Sequence, residues 1–330
     1  MFLGVDGGGT TTDFCLVTHD GDLAAAVVAP SCYYFGSDVG LVGRVLAPGV
    51  TAVCNQADIT PGDIEQAFFG LPGYGEVGAD VAALDAAPGA VLGHGRYTCD
   101  NDMVCGWAGS LGAADGINVI SGTGAMAYGE YGGARARVGG WGEAFGDEGS
   151  GHWIAVRGLQ AFSQMSDGRL PTGLLLDTLR QHLQLRHDLD LIDIVLHRWH
   201  RQRQQVAKLA RIVVGAAQAG DVACLGILAD AGRELALLAV AARHRLHVED
   251  QVLVPVSYSG GVFTASEVLT PFTRRLTEAR ENYELRLPLY APAVGAALYA
   301  AKRAGTPLNA DALRHLAKSL AVAPWSGSGL

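Results

Sequence analysis

Charged residues are scarce in this sequence, and it lacks any long apolar run. Asp, Glu, Lys and Arg make up 17% of the 330 residues and hydrophobic residues make up 49%, whereas an average soluble domain has about 25% charged residues. No apolar run approaches the ~20 residues that a membrane-spanning helix requires. The net charge of −9 also disfavours nucleic acid and anionic membranes as partners. The composition therefore predicts an acidic soluble protein, and the length predicts two domains.

The sequence also lacks a Cys-x-x-Cys pair and a signal-peptide pattern. Its six cysteines are scattered, which favours reduced thiols in a cytoplasmic protein over disulfides. The N-terminus has no charged segment and Asp6 interrupts its only apolar stretch, so we expect no signal peptide. His197 and His200 would share a helix face and could bind zinc, but no matching Cys or acidic partner is evident nearby. The alternative for this HRWHRQRQ stretch is a solvent-exposed basic helix.

Strands and helices alternate in the first half of the sequence, and helices dominate the second half. Short apolar patterns predict strands over residues 2–6, 13–18, 23–29, 67–70 and 117–120. Helical periodicity predicts helices over residues 37–47, 61–66, 76–86, 103–112, 150–166, 172–184, 203–219, 221–246, 265–280 and 293–304. One apolar run, Val252 to Val256, interrupts the helical half and leads to Ser259-Gly260-Gly261. This pattern predicts α/β layers.

The stretch GVDGGGTTTDFCLV places three glycines and three threonines between two apolar runs. Glycines let backbone N–H groups approach a ligand, and successive N–H groups can form an anion-binding nest. Asp6, at the strand end, is suited to hold a hydrated Mg²⁺ beside phosphates. The candidates for phosphate binding are Gly8, Gly9, Thr10, Thr11 and Thr12. The pattern is neither a Rossmann nor a P-loop motif, and a strand follows it. A plain Gly-rich hairpin is the alternative.

Two further glycine turns follow strands later in the chain. VISGTGAMAY repeats the chemistry of VDGGGTTTDF about 115 residues later, which indicates two similar halves. Recurrence by chance is the alternative, since 45 of the 330 residues are glycine. Two such hairpins would clamp a triphosphate from both sides, and a third turn would lie against an adenine. The candidates are Ser121, Gly122, Thr123 and Gly124 for the phosphates, and Gly260 and Gly261 for the adenine.

Several stretches together resemble the BadF/BadG/BcrA/BcrD ATPase family, and in particular its N-acetylglucosamine kinase branch. They are DGGGTTTDFCLV, NVISGTGAMAYGE, GGWGEAFGDEGSGHWI and VSYSGGVF, followed by APAVGAALYA. The resemblance implies an α/β fold of two ribonuclease-H-like, actin-like ATPase lobes, with ATP and Mg²⁺ in an interlobe cleft. It implies an N-terminal lobe over residues 1–114, on which a C-terminal segment over 305–330 packs, and a C-terminal lobe over 115–304. A homodimer is expected by the same analogy.

Phosphoryl transfer to a sugar hydroxyl needs a carboxylate that orients the nucleophile and accepts its proton. Asp102 is the candidate base, because it precedes a predicted helix and the family has an Asp in this place, often in an Asn-Asp pair. Its neighbour Asn101 is a candidate for substrate binding. Asp100 is the rival base, and N-capping of the helix by both acids is the structural alternative.

The stretch GGWGEAFGDEGSG combines flexible glycines with acids and a tryptophan. Asp147 and Glu148 can accept hydrogen bonds from sugar hydroxyls, and Trp141 can cover an apolar face. The alternative is N-capping of the next helix by Ser150, and both roles are compatible. By resemblance this loop, with Gly140, binds the amino sugar, and Asp147 also lies near the phosphates.

Two positions depart from the family pattern. Cys32, in APSCYYF, stands where the family has an Asn that binds sugar hydroxyls, and a thiol is a poor partner for them. Either Tyr33 or Tyr34 takes over this contact, or the substrate differs. Ala125 stands where the family has a Ser that completes SGTGS.

The leading hypothesis is an ATP-dependent kinase that phosphorylates N-acetylglucosamine or a related amino sugar, at the 6-hydroxyl. Glucosamine and N-acetylmuramic acid are the alternative acceptors. One rival is an ATPase that activates 2-hydroxyacyl-CoA dehydratases, whose iron–sulfur cluster is bridged by cysteines of two subunits; the cysteines here do not follow that pattern. The other rival is a non-catalytic ATP-binding sugar sensor, which would bind sugar without turnover.

Overall fold

The computed structural model describes residues 1–322. It contains two five-stranded sheets that have the same topology. The strands are β1 (Phe2–Gly7), β2 (Thr11–Val17), β3 (Leu23–Pro30), β4 (Gln66–Leu71), β5 (Tyr97–Asn101), β6 (Gly116–Ser121), β7 (Ala125–Tyr131), β8 (Ala134–Gly139), β9 (Val254–Ser259) and β10 (Tyr283–Arg286). Their orders are β3-β2-β1-β4-β5 and β8-β7-β6-β9-β10. In each sheet the first three strands pair antiparallel and the last two join in parallel. The predicted α/β class, the two ribonuclease-H-like halves and the internal repeat are confirmed.

Helices fill the connections between these strands. They are α1 (Gly40–Gln56), α2 (Val81–Leu92), α3 (Met103–Leu111), α4 (Gly151–Ser166), α5 (Leu174–Leu183), α6 (Asp190–Ile192), α7 (Arg203–Ala207), α8 (Ala210–Gln218), α9 (Val222–Arg245), α10 (Ser266–Thr277), α11 (Pro292–Arg303) and α12 (Ala310–Val322). A π-helical turn, Asp193–Arg198, follows α6. The predicted helix over 61–66 is wrong, because Pro61–Asp63 forms only one 3-10 turn. The predicted helix over 203–219 is divided into α7 and α8.

The chain divides into two compact units, and the first of them is discontinuous in sequence. Unit 1 comprises Met1–Asp115 and the described chain from Leu287 onward, and unit 2 comprises Gly116–Arg286. The expected return to the first lobe at residue 305 therefore comes earlier, at Leu287. The physical reason is the packing of α11 on β1, where Gly4 has no side chain and a Cβ would collide with the backbone of α11.

Each unit has its own hydrophobic core. In unit 1, alternate residues of β1 face opposite sides of the sheet: Leu3 and Val5 join the core formed with α1, whereas Gly4 faces α11. In unit 2, β6 and β9 pack with α4, α8 and α9. Among residues 1–322 no single helix is long and apolar enough to cross a bilayer. Within this range only the bent pair Arg203–Gln218 and Val222–Arg245, taken together, has the length and composition of a membrane span.

Candidate functional site

Parallel pairing in unit 1 brings Asp6 and Asp102 to the same edge of the sheet. Asp6 is paired with Gly70 of β4, and Gly70 is paired with Asp100 of β5. Gly70 lies against Asp102, because a Cβ added to it would be 3.1 Å from the Asp102 Cα atom. Carboxyl ends of parallel strands commonly form ligand sites. Two acids that are 96 positions apart in sequence thus form one cluster, as the predicted roles of base and cation ligand require.

The Asp6 carboxylate lies in a negative and largely apolar environment. Burial raises its pKa well above the usual range, and the nearby Asp102 and Asp13 raise the pKa further, while a hydrogen bond from the Cys105 thiol opposes these effects. Asp13 is the cross-strand partner of Asp6 in the β1–β2 hairpin. A divalent cation would offset this repulsion between carboxylates, so the residues fit a Mg²⁺ ion. Within residues 1–322 no group of three His, Cys, Asp or Glu side chains is arranged to hold a metal directly.

The three residues before α3 have different roles. The Asn101 side chain is buried; its Oδ1 accepts from the Met103 N–H at 3.2 Å and its Nδ2 donates to the Tyr74 carbonyl at 3.3 Å. Asp100 accepts from the Asn101 N–H at 2.8 Å. Asp102 stands at the N-cap position but makes no side-chain capping bond. Asn101 therefore caps α3, and the Asp102 carboxylate is not used for that purpose.

Some polar groups of the first glycine turn are hydrogen-bonded within the protein, and others are exposed to solvent. The Gly8 N–H donates to the Thr11 carbonyl at 2.7 Å, and its carbonyl accepts from the Ser31 hydroxyl at 2.7 Å. The backbone at Gly9 has open space around it, and Thr10 is exposed. The Thr11 Oγ1 atom is buried and has no hydrogen-bond partner among residues 1–322. Gly9, Thr10 and Thr11 thus remain suited to bind phosphate.

Thr12 and Cys32 do not fit the roles predicted for them. Thr12 is fully buried, and its hydroxyl accepts from the Cys32 N–H at 3.1 Å. Cys32 is also fully buried, and its Sγ packs beneath Gly7, where a Cβ would be 2.6 Å away. Burial raises the pKa of this thiol to about 11, despite the hydrogen bond from Thr12. Neither side chain has surface for a ligand, because both fill the space between β2 and the end of β3.

The neighbours of Cys32 offer the accessible groups of this segment. The Tyr33 ring is 43% exposed and stacks near the Phe35 ring, with 5.2 Å between their centroids. The Tyr34 ring is buried, and its hydroxyl donates to Asp80 at 3.1 Å; burial raises its pKa to about 12. Of the two tyrosines considered as substitutes for the family Asn, Tyr33 is the accessible one.

The second glycine turn is tied by hydrogen bonds to the GDEGSG loop in unit 2. The buried Ser121 hydroxyl donates to the Gly149 carbonyl at 3.0 Å, and the Gly122 carbonyl accepts from the Gly151 N–H at 2.8 Å. The Gly122 N–H donates within the turn to the Gly124 carbonyl at 2.9 Å. Thr123 is exposed at the tip. Ser121 therefore fixes the turn, and Thr123 is its hydroxyl that faces solvent.

Asp147 is held beside this turn by an arginine that the sequence pattern does not single out. Its carboxylate is buried and forms an ion pair with Arg203, and its backbone is left-handed, with φ of 58°. Arg203 also lies 3.5 Å from Glu143. A Cβ on Gly124 would collide with the guanidinium and lie 2.9 Å from the Asp147 Oδ2 atom. The missing side chain at Gly124 makes room for the ion pair against the turn.

Other residues of the loop have mixed roles. The Trp141 ring is 72% exposed, so it is available to cover a ligand. Gly140 has a left-handed φ of 68°, and its carbonyl accepts from Arg137 at 2.6 Å. Glu148 is partly buried and raises the pKa of Glu234 on α9, after the larger effect of burial. Ser150 accepts from the Trp153 N–H at 3.1 Å and thus N-caps α4, as the alternative interpretation predicts.

The third glycine turn follows β9. Gly260 has φ of 99°, and a Cβ there would collide with the Ser121 carbonyl, so only glycine lets β9 approach β6 so closely. No heavy atom lies near the Cβ position of Gly261. Gly260 therefore has a structural role, and Gly261 is the more open position for a flat ligand.

The structure does not support the alternative metal sites. His197 pairs with Asp193 at 3.2 Å, an acidic partner that the sequence pattern does not reveal, and His200 lies outside the helix with φ of 46°. All six cysteines are free; Cys99 is partly buried and the other five are buried. Buried thiols cannot bridge a cluster between two subunits, which disfavours the dehydratase-activator hypothesis.

The sequence and the fold are similar to those of known sugar kinases. The sequence model of the BadF/BadG/BcrA/BcrD ATPase family matches residues 3–300. An N-acetyl-D-glucosamine kinase of Dictyostelium discoideum is 28% identical over 310 residues, which cover 91% of this chain and 97% of that protein. An N-acetylmuramic acid/N-acetylglucosamine kinase of Clostridium acetobutylicum is 29% identical over 261 residues, covering 79% and 84%. A solved structure of a candidate N-acetylglucosamine kinase of Chromobacterium violaceum is 26% identical, covers 90% of this chain and 97% of its own, and has a TM-score of 0.68.

Proposed function

Because the chain belongs to the BadF/BadG/BcrA/BcrD ATPase family, we propose that it is an ATP-dependent amino-sugar kinase that transfers the γ-phosphate to the 6-hydroxyl of N-acetylglucosamine or a close relative. The two relatives described above, from Dictyostelium discoideum and Clostridium acetobutylicum, are kinases of amino sugars. The matched region covers 97% and 84% of the lengths of these two relatives.

The observation that carries the proposal is the position of the Asp102 carboxylate. It lies at the carboxyl edge of the unit 1 sheet, beside Asp6, and it does not cap α3. Asp102 would orient the acceptor hydroxyl and accept its proton, a role that contributes about 10²–10⁴ in rate. Asn101 would act mainly by fixing the backbone at Asp102, since its amide is bound to protein groups.

Asp6 is the proposed holder of the cation. A bound Mg²⁺ would supply positive charge that offsets the negative charge of the phosphates. Asp6 would hold it through water. Burial, and to a smaller extent repulsion from Asp102 and Asp13, raises the pKa of Asp6, and such a cation would favour the ionised carboxylate.

Three glycine turns are the proposed contacts of ATP. In unit 1 the phosphates would meet Gly9, Thr10 and Thr11, with Gly8 shaping the turn. In unit 2 they would meet the Ser121–Gly124 turn through its backbone and Thr123. Gly261 would lie against the adenine, with Gly260 fixing its position.

The proposed acceptor contacts come from two segments. Tyr33 replaces Cys32 in this role, because Cys32 has no exposed surface. Glu148 would bind sugar hydroxyls and Trp141 would cover the ring. Asp147, which is buried and paired with Arg203, would fix the loop together with the left-handed Gly140. A cytoplasmic location and a homodimer remain predictions, and sedimentation of the purified protein tests the second of them.

A coupled ADP-release assay tests the proposal directly. The purified protein would be incubated with MgATP and N-acetylglucosamine, glucosamine, N-acetylmannosamine, N-acetylmuramic acid or glucose in turn, with phosphorus NMR to identify the phosphorylated hydroxyl. We expect turnover on an amino sugar, and a loss of about 10² or more in kcat for Asp102→Asn, with little change in MgATP affinity.

The variants and the panel also separate the alternatives. Asp100→Asn is the matched control, because Asp100 is the adjacent acid and bonds the backbone of Asn101; a larger loss there than in Asp102→Asn would move the base to Asp100. Binding of both sugar and ATP without turnover would indicate the sensor. Turnover on glucosamine or N-acetylmuramic acid alone would change the acceptor and keep the reaction.

A further inference from the structure

Arg203 stands at the center of a charged group on the second glycine turn. It is the first residue of α7, and its guanidinium lies against Gly124, where a Cβ would collide with it. It forms an ion pair with Asp147, which is buried, and lies 3.5 Å from Glu143, which is exposed. Two acids of one loop and an arginine of α7 thus meet beside Ser121–Gly124.

The balance of charge in this group depends on Arg203. Asp147 and Glu143 contribute two negative charges and Arg203 one positive charge. His152 lies nearby, and burial lowers its pKa, so it adds no positive charge at neutral pH. The group therefore has a net charge of about −1 with Arg203 and would have about −2 without it. A turn flanked by two uncompensated carboxylates would repel phosphates.

We propose that Arg203 is a charge-compensating residue of the nucleotide site, which allows the polyphosphate of ATP to bind at a turn flanked by Asp147 and Glu143. This inference rests on the proposed function, which assigns the phosphates to this turn. It adds a residue that the sequence motifs do not contain and a reason why an acidic loop can lie beside a phosphate site.

The guanidinium is also suited to contact a ligand directly. Of its five donors, only one forms a hydrogen bond within residues 1–322, and that bond goes to Asp147. Its Nε atom is buried and has no hydrogen-bond partner among residues 1–322, because the contact with Glu143 lacks hydrogen-bond geometry. A phosphate oxygen at the turn would satisfy such a donor.

The test is the affinity for MgATP, measured by calorimetry without acceptor so that turnover does not matter. We expect Arg203→Met to weaken binding about tenfold, because a unit of negative charge is left uncompensated near the phosphates. Arg203→Met/Glu143→Gln should recover most of that loss, since it restores the net charge. Glu143→Gln alone should tighten binding about threefold at low salt, and the effect should shrink at high salt.

Controls separate charge from structure. Asp250→Asn removes an exposed acid before β9, at the opposite end of the strand from Gly260, and should leave the affinity unchanged. Arg203→Lys keeps the charge and should bind MgATP within about threefold of wild type. If Arg203→Met fails to fold, the affinities of Arg203→Lys and Glu143→Gln still test whether charge at this turn controls MgATP binding. Binding by Arg203→Met within twofold of wild type, or no recovery on adding Glu143→Gln, would overturn the inference. No MgATP binding by the wild-type protein would instead overturn the proposed function, and the inference with it.

Discussion

Asp6 is a residue whose environment opposes its own charge. It is paired across the hairpin with Asp13 and lies beside Asp102, and burial raises its pKa together with these two carboxylates. A raised pKa in the folded state means that the folded protein binds this proton more tightly than the unfolded chain does. Ionised Asp6 therefore destabilises the fold when no cation is bound, as is common where function requires a charge.

We predict that Asp6→Asn raises the free energy of unfolding at neutral pH, while it removes kinase turnover. The stability that protonated Asp6 contributes is fully present below the ordinary Asp pKa near 4 and is lost as pH rises toward the raised pKa. The advantage of Asn should therefore be absent at acidic pH, grow above about pH 4 and level off above the raised pKa. Urea unfolding at a series of pH values, in the absence of Mg²⁺, measures this difference.

Asp63 provides a control of opposite sign in the same unit. Hydrogen bonds from the Thr60 side chain and backbone lower its pKa. Its contribution to stability is present above the ordinary Asp pKa and is lost as pH falls, so Asp63→Asn should be less stable than wild type at neutral pH. An advantage of Asp6→Asn that did not change with pH would contradict the account of Asp6.

At this scale the sequence predicts chemical type well and orientation poorly. Asp6 could be chosen from its place at the end of a predicted strand, and Asp102 from its place before a predicted helix and from the family resemblance. The burial of Thr12 and Cys32 could not be predicted, since it depends on how the segment after β3 packs on β2. Arg203 lies in a basic stretch that predicts a solvent-exposed helix, so the pattern does not single it out. Its ion pair with Asp147 depends on the tertiary fold.

At the scale of the elements, buried side chains cap the N-termini of several helices in unit 2. Asp221 is buried and accepts from the Cys224 N–H at 3.0 Å, at the start of α9, and from the Leu175 N–H at 2.9 Å, at the start of α5. One side chain thus satisfies two helices. Ser150 satisfies only α4, through the Trp153 N–H.

We predict that Asp221→Ala lowers the free energy of unfolding by about 2–4 kcal/mol, because it leaves two buried N–H groups without partners. Ser150→Ala should lower it by about 1 kcal/mol, the usual value of one cap. Urea unfolding followed by circular dichroism measures both. Ser163→Ala, on the surface of α4 and away from its cap, should change stability by less than about 0.5 kcal/mol. Equal losses for Asp221→Ala and Ser150→Ala would contradict the double role of Asp221.

The elements that the sequence pattern missed have a common physical cause. β5, β8 and β10, which it does not predict, are all edge strands, and most of their residues are partly buried or exposed. Apolar patterns identify the strands that are buried. The predicted end of the first helix at residue 47 respects Pro48, yet α1 continues to Gln56 because burial of its apolar face outweighs one lost hydrogen bond.

For the whole molecule, the repeated hairpin indicated two similar halves, and the family resemblance implied the two lobes that the sheets confirm. The discontinuity of unit 1 was only partly predictable: the family resemblance implies a return of the chain, but its position depends on packing. Tyr299 of α11 contacts the rings of Trp107 and Phe68, with centroids 5.6 and 4.9 Å apart. A Cβ on Gly295 would collide with Gly109, which makes α11 and α3 one closely packed pair.

This arrangement predicts how the chain behaves when it is divided. Residues 116–286 contain a complete sheet and core, so we expect this fragment to fold alone and to unfold cooperatively. Residues 1–115 should not fold alone, because β1, β4 and α3 lose the cover of α11. Joining 1–115 to 287–322 by a short Gly/Ser linker should restore folding, since the Leu289 N–H reaches the Ser110 carbonyl at 3.2 Å and so lies close to the end of the first stretch.

Trp107 reports on this prediction, because it is the only tryptophan in the joined fragment and is fully buried against α11. Its fluorescence emission should lie at short wavelength in the joined fragment and shift to long wavelength in residues 1–115 alone. The Gly295→Leu variant of the joined fragment should also shift to long wavelength, because the larger side chain separates α11 from α3. Short-wavelength emission and cooperative unfolding of residues 1–115 alone would mean that α11 stabilises unit 1 without being needed to form it.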